Sequence, residues 1–198
     1  MRSIVSPLEP MKAVCRRPRR VVYTCMFGYS ERFNDFVYEG AEDIDFICFT
    51  DDPKLSSAFW QMKVVPSGLL DPARTAKQFK ALPHRFLSDY DWSLYIDNTV
   101  RLKASPRRIF DEYLAGSPSP YVCFHHFERK CVYDEAEAVL NSKFDDPTIV
   151  HEQMSYYRML GYPTNNGLAK GAFILRQHLD PLLRPVMGTL VSAHSLVF

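Results

Sequence analysis

At 198 residues, 46% of them hydrophobic, the chain is long enough for one sizeable core and short for two. A net charge of +1 argues against a general nucleic-acid binder, and five cysteines (Cys15, Cys25, Cys48, Cys123, Cys131) with no CxxC pair fit a reducing compartment better than a disulfide framework. No apolar run approaches a membrane span and the N-terminus lacks the apolar region of a secretory signal, so a soluble, cytoplasmic protein is expected.

Five of the nine residues from Lys12 to Arg20 are basic, which predicts a solvated arm over 1–20 ahead of a single domain over 21–198. "VVYTCMF" (21–27) is rich in β-branched and aromatic residues and stops at Gly28, as a buried strand would. "IDFICFT" (44–50), stopped by Asp51, Asp52 and Pro53, is a second, and "WQMKVVP" (60–66) a third, more exposed. From Pro72 to about Ser88 the period turns helical, with Pro83 set to end or kink the helix, and "SLYID" (93–97) returns to strand. "SPRRIFDEYLAG" reads as a helix started by Ser105 and Pro106 and stopped by Gly116, and "YVCFHH" (121–126) as a strand. Helices follow over "YDEAEAVLNSK" and over "DPTIVHEQMSYYRMLG", the latter with Asp146 as N-cap and Pro147 at its first position. "GAFILRQH" (171–178) closes the pattern as a strand. Strands alternating with helices predict an α/β fold with a mostly parallel sheet, whose ligand site lies beyond the carboxyl ends of its strands.

That rule gathers Tyr23 to Cys25, Thr50 with Asp51, and Asp97 with Thr99 along one edge. In "ARTAKQFKALPHRFL", Arg74, Lys77, Lys80 and His84 share one stripe and Ala76, Phe79, Leu82 and Phe86 the opposite one. Four basic or potentially basic groups on one face can hold a diphosphate, and they equally describe a solvated face. Asp97 at a strand exit is either turn chemistry or the carboxylate of a divalent-cation site, with Asn98 or Thr99 supplying a neutral oxygen. Cys123 and Cys131 flank His125 and His126, but their spacing matches no standard zinc site. His126, Arg129 and Glu135 are better candidates for polar contacts to a sugar or phosphate, or for a network among themselves. Glu152 and Tyr156 lie four apart on one helix face, as do Gln153 and Tyr157, which suits a carbohydrate pocket and a packing helix alike. There is no GxGxxG, no GxxxxGK[ST] and no serine nucleophile elbow.

"VVYTCMFGY", "FICFTDD", "ARTAKQFKALPH", "SLYIDNTVRL", "HHFERKCVYDEAEAV" and "EQMSYYRMLGYPTNNGLAKGAFILRQH", in that order, resemble a glycosyltransferase-like family, formerly a domain of unknown function, of bacterial polysaccharide loci and plant mucilage and turgor-related proteins. The resemblance runs from Val21 to His178. It implies a GT-A-like, Rossmann-like sheet flanked by helices, and a transferase acting on a nucleotide-diphosphate sugar and a glycan or glycoconjugate acceptor. By it, Tyr23, Thr24, Thr50 and Asp51 would line the nucleotide pocket, and Arg74, Lys77 and His84 would face the diphosphate. Asp97 would be the carboxylate of a metal motif for Mn²⁺ or Mg²⁺, with Thr99 where that motif carries a second acid, and Glu152 or Glu135 would be the general base. The chain departs from the pattern at Thr99 and ends at "AHSLVF" without the expected "RDQ"-like stretch, as a C-terminally truncated or reduced homologue would, with His194 as a stand-in late ligand. A cytoplasmic location, free or peripheral to the inner membrane, goes with this reading. The alternatives are a non-catalytic nucleotide- or carbohydrate-binding module that keeps the fold, and a partner subunit whose apolar tail from Pro185 to Phe198 is an interface.

Overall fold

The structure, a computed structural model, describes residues 17–28, 31–66, 71–116, 119–181 and 183. Most of the basic arm, His194 and the apolar tail lie outside them. Among the described residues six strands form one sheet: β1 (Arg20–Met26), β2 (Ile44–Thr50), β3 (Gln61–Val64), β4 (Trp92–Ile96), β5 (Tyr121–His125) and β6 (Ala169–Gln177). The helices described between them are α1 (Pro72–Ala81), α2 (Pro83–Phe86), α3 (Pro106–Gly116), α4 (Val132–Asn141) and α5 (Pro147–Met159).

The strand order is β3-β2-β1-β4-β6-β5. β1, β2, β3 and β4 pair in parallel, whereas β6 runs antiparallel to both of its neighbours, β4 and β5. The expected mostly parallel α/β sheet is present, with one reversed strand that the sequence pattern does not signal. Because both faces are covered, the central strands read as continuous apolar runs rather than alternating ones. Val22, Phe46, Cys48, Leu94 and Leu175 point to one face, where α3 adds Phe110. Val21, Tyr23, Ile47, Phe49, Tyr95 and Ile174 point to the other, where α1 adds Phe79. A smaller cluster of Val132, Ala136, Val139, Val150 and Met154 holds α4 against α5.

The described end of the arm, Arg17 to Arg19, is exposed, and it is tethered where β1 begins. The Arg19 N–H donates to Asp91 at 2.7 Å, and the Arg20 guanidinium lies 2.8 Å from Asp111. Helix α1 starts where Asp71 accepts from the Arg74 N–H at 3.0 Å with Pro72 at the first position. It ends at Leu82, because Pro83 has no N–H to continue the ladder and instead starts α2. His84 therefore belongs to a separate short helix.

At the opposite edge of β4 from Asp97, His178 is buried with its Nε2 2.8 Å from the Ser93 hydroxyl and its Nδ1 3.2 Å from the Leu87 carbonyl. A carbonyl can only accept, so Nδ1 carries the proton and Nε2 accepts from Ser93. Burial lowers the pKa of His178 to about 4. An unfolded histidine titrates near about 6.5, so between those values the unfolded state holds the extra proton. Stability contributed by neutral His178 is complete above the unfolded pKa and is lost as pH falls towards about 4, by about 3 kcal/mol in total. Urea titrations across that window are expected to show this slope in wild type and a slope smaller by one proton in His178→Asn.

Candidate functional site

The carboxyl ends of β1 and β4, the loop after β1 and the inner side of α1 enclose a cavity of about 320 Å³. Its charged lining is Glu31, Lys77, Lys80 and Asp97, with Thr99 and Asn98 on the turn that follows β4. The strand places Asp97: its N–H donates to the Ala172 carbonyl of β6 at 3.0 Å, and its carbonyl accepts from the Val100 N–H at 2.9 Å, closing the turn. One carboxylate oxygen, Oδ1, accepts from the Tyr95 hydroxyl at 2.6 Å and lies 3.4 Å from the Lys80 ammonium. Burial, followed by the charges of Cys25 and Asp97, raises the Tyr95 pKa well above its ordinary value, so the phenol stays a donor. The Lys80 ammonium also sits 4.8 Å from the centre of the Tyr95 ring. A side chain at Gly171 of β6 would come within 3.1 Å of Lys80 Nζ, so a bare backbone there leaves the ammonium its path to Asp97.

Lys80 is in the stripe read from the sequence, but its approach to Asp97 depends on β6, which sequence periodicity does not place. The other two cations of that helix pair with a different carboxylate, Arg74 off the cavity wall and Lys77 while still lining it. Asp145, whose side chain is only 8% exposed, accepts from Arg74 at 2.7 Å and Lys77 at 3.3 Å. Burial opposes ionisation of Asp145, but the Asp146 N–H and the charges of Lys77 and Arg74 together hold its pKa below the usual carboxylate value. Burial lowers the Lys77 pKa, with Asp145 opposing the shift. Asp145 escapes a reading of the sequence because it stands beside the helix cap Asp146, and cap chemistry accounts for both.

The remaining expected residues divide. Tyr23 does not line the cavity: it is fully buried, and its hydroxyl donates towards the Phe79 and Lys80 carbonyls at the end of α1, 3.3 Å from each. Cys25, two residues on and so on the same face, lines it instead. Thr24 faces the other side of the sheet, where its buried hydroxyl has no hydrogen-bond partner and borders a space of about 10 Å³ shared with Asp97 and Asn98. Thr50 accepts from the Asp52 N–H at 3.1 Å, and both carboxylate oxygens of Asp51 accept from the Gly28 N–H, at 3.0 and 3.1 Å. Asp51 thereby ties the end of β2 to the turn after β1. Gly28 has φ +62°, and a Cβ on it would fall 2.5 Å from Pro72, so this turn can meet α1 only with glycine there. His84 is off the cavity wall and is close enough to His178 to oppose its protonation.

Neither proposed base lines the cavity. Glu135 accepts from Arg129 Nε and lies 3.8 Å from His126 Nε2, while His126 Nδ1 accepts from the Arg129 N–H at 3.0 Å. These three form a network with one another. Glu152 is exposed on α5, as is Tyr156, whereas Gln153 donates to the Tyr157 hydroxyl at 2.8 Å. Glu31 is the second carboxylate of the lining, and no motif pointed to it.

For a divalent cation, the Asn98 carboxamide is committed: it accepts from the Asn34 N–H at 2.8 Å and donates to the Arg32 carbonyl at 3.1 Å. Among the described residues no group of three or more His, Cys, Asp or Glu side chains converges as a metal site. Asp97 Oδ2 and the Thr99 hydroxyl remain as donors at the cavity wall. One carboxylate and a neutral oxygen fit the way Mg²⁺ is held when substrate phosphates and water complete its shell.

In open α/β sheets ligands bind outside the carboxyl ends of the strands, which is where the acidic turn and the lysine-bearing helix meet here. The sequence profile of the TOD1/MUCI70 glycosyltransferase-like domain matches residues 48–182, more than half of the chain, and the chain belongs to that family. Among its relatives is an Arabidopsis thaliana protein named probable hexosyltransferase MUCI70, 28% identical over 129 residues. The match covers 61% of this chain and 22% of that protein, so the chain spans only a small part of its relative's length.

Proposed function

We propose that this domain, as a GT-A-type glycosyltransferase over residues 21–198 behind a basic arm, transfers a hexosyl group from a nucleotide-diphosphate sugar to a glycan or glycoconjugate acceptor. The proposed setting is surface polysaccharide assembly in the cytoplasm, free or peripheral to the inner membrane. Among the described residues no helix is long and apolar enough to cross a membrane. The observation that carries the reading is the convergence of Lys77, Lys80 and Asp97 on one cavity at the carboxyl edge of β1 and β4.

In sugar transfer, negative charge develops on the departing diphosphate. Lys80, held by Asp97 and the Tyr95 ring, would meet that charge without reorganising, and Lys77 would add a second cation on exchanging Asp145 for phosphate. Asp97 Oδ2 and Thr99 would hold Mn²⁺ or Mg²⁺, which when bound supplies Lewis-acid stabilisation of the same charge. Asp51 and Gly28, by fixing the turn after β1, would shape the nucleotide end of the cavity. Glu31 stands where it can accept a proton inside the cavity, and Glu135 or Glu152 would act only on an acceptor approaching from α4 and α5.

The test is a thermal-shift titration of UDP, GDP and ADP, each with and without Mn²⁺, on wild type and Asp97→Ala. A ligand at a hundred times its Kd stabilises the native state by about 2.7 kcal/mol. Metal-enhanced stabilisation in wild type that disappears in Asp97→Ala is expected. Binding that ignores both metal and the substitution would remove Asp97 from the mechanism and favour the non-catalytic module, which the committed Asn98 side chain also favours. No shift with any nucleotide would overturn the donor site.

A further inference from the structure

A second cavity, of about 600 Å³, lies between the start of α4 and the loop from α5 to β6. Tyr133, Asp134, Arg158, Tyr162, Thr164 and Asn165 line it, beside Cys131 and Gly161. Two aromatic faces with a carboxylate, a guanidinium, a hydroxyl and an amide are the groups that recognise a ligand dense in hydroxyls and bearing apolar C–H faces. The wall is preorganised. Tyr133 donates to the Tyr162 carbonyl at 2.8 Å, the Arg158 guanidinium lies 4.7 Å from the centre of the Tyr133 ring, and Tyr162 pairs with Tyr157 at 5.7 Å.

The loop leaves α5 through a left-handed cap at Gly161, where the Tyr162 N–H bonds the Tyr157 carbonyl at 2.9 Å, and has one left-handed non-glycine residue further on. Gly161 has φ +69° and Asn165, a residue with a side chain, has φ +54°. The Asn165 N–H lies close enough to the Cys131 sulfur at the start of α4 to be the largest influence lowering its pKa.

Topology relates this cavity to Asp97. Because β6 is antiparallel to β4, its N-terminal end projects past the carboxyl end of β4 on the side where Asp97 lies. The Asp97 N–H meets Ala172, and the chain before it runs back through an irregularity in its pairing with β5 to Leu168. The tyrosine-lined loop begins just beyond. The two cavities share no lining residue, so a ligand held at both would be an oligosaccharide and not a single sugar.

We propose that the Tyr133–Tyr162 cavity is an acceptor subsite that binds a saccharide chain several residues from its reacting end. The inference rests on the proposed transferase reading for its purpose, but saccharide binding there is measurable without a donor. Arg158 decides between two forms of the same chemistry: a uronic-acid chain would engage its charge, whereas a neutral chain would use the rings and hydrogen bonds alone.

The experiment is isothermal titration of cellotetraose and of tetragalacturonate into wild type, Tyr162→Ala and Arg158→Ala, with UDP–Mn²⁺ titrated in parallel and thermal melts confirming the fold. The expected result is saccharide binding at millimolar or lower concentration that weakens at least tenfold in Tyr162→Ala, with UDP binding unchanged. A further tenfold dependence on Arg158 for tetragalacturonate alone would identify the anionic form, and indifference to Arg158 the neutral one. Equal saccharide affinity in wild type and Tyr162→Ala overturns the subsite and leaves the donor site standing. UDP binding with neither saccharide bound at 10 mM, a concentration on the order of ten times a millimolar Kd, also overturns it. Saccharide binding that requires Tyr162 with no nucleotide binding supports the subsite and removes the transferase reading.

Discussion

Replacing Arg176 with alanine is expected to destabilise the protein by about 3 kcal/mol or more, read as a lowered urea midpoint at unchanged slope. Arg176 lies in β6 and is only 2% exposed. Its Nη1 donates to the Lys80 carbonyl and, at 3.3 Å, to the Tyr23 hydroxyl, while its guanidinium faces the Tyr121 ring at 5.4 Å. No carboxylate pairs with it among the described ion pairs. The partial negative charge at the C-terminus of α1 takes that place. Truncation leaves the part-buried Lys80 carbonyl only the longer bond from Tyr23, at up to about 1 kcal/mol, and opens a cavity whose cost for large-to-small changes is typically about 2–5 kcal/mol. Relief from burying an incompletely satisfied charge offsets part of this, since Arg176 Nε is itself buried without a partner. Arg176→Met, which keeps volume and removes charge, is expected to cost distinctly less. Equal stability of the alanine variant and wild type would show that α1 ends there without help from β6.

Lys80→Met is expected to lower the rate constant for transfer, or for donor hydrolysis, by roughly 10²–10³-fold, as removal of one preorganised donor does at comparable sites. The donor KM should change much less. The argument is positional. The ammonium is fixed by Asp97 at 3.4 Å and by the Tyr95 ring, so its orientation is settled before the ligand arrives. An interaction that strengthens as charge develops appears in kcat, and one that merely attracts the ground-state diphosphate appears in KM. Steady-state kinetics with an accepted nucleotide sugar separates the two. A variant with unchanged kcat would assign Lys80 to structure alone, as a counter-ion for Asp97. Gly171→Ala gives an independent check, because its new methyl group would stand 3.1 Å from the ammonium and displace it without removing it.

The elements were legible where the physics is local. The second strand ends as expected at Thr50, and α5 opens with Asp146 and Pro147 in the positions that capping chemistry assigns them. Pro83 broke the helix as its missing N–H requires. Direction within the sheet was not legible, because an apolar run buried on both faces has the same composition whichever way it points. The reversal of β6 brings Ala172 to Asp97, Gly171 to Lys80 and Arg176 to the end of α1, so what the site owes to β6 was hidden with it. Tyr23 looked available because it is near a strand end, but two residues of depth separate a core phenol from the Cys25 position that meets the cavity. Asp145 and Glu31 belong to no motif, and only the folded chain shows what they face.

The place of β6 between β4 and β5 also sets an order of events as the chain is made. β1 to β4 can pair as soon as they emerge, each beside a strand already present. β5 cannot, because its one neighbour in the sheet among the described residues begins at Ala169, long after His125 has left the ribosome. At about 5–20 residues per second, that interval lasts seconds. Throughout it the Tyr121–His125 segment is a strand without a partner, and β4 presents an open edge of unpaired backbone groups to any other chain nearby. The vulnerable period of this protein in a cell is thus the synthesis of α4 and α5, and a pause there prolongs exposure of the very edge on which the site is later completed.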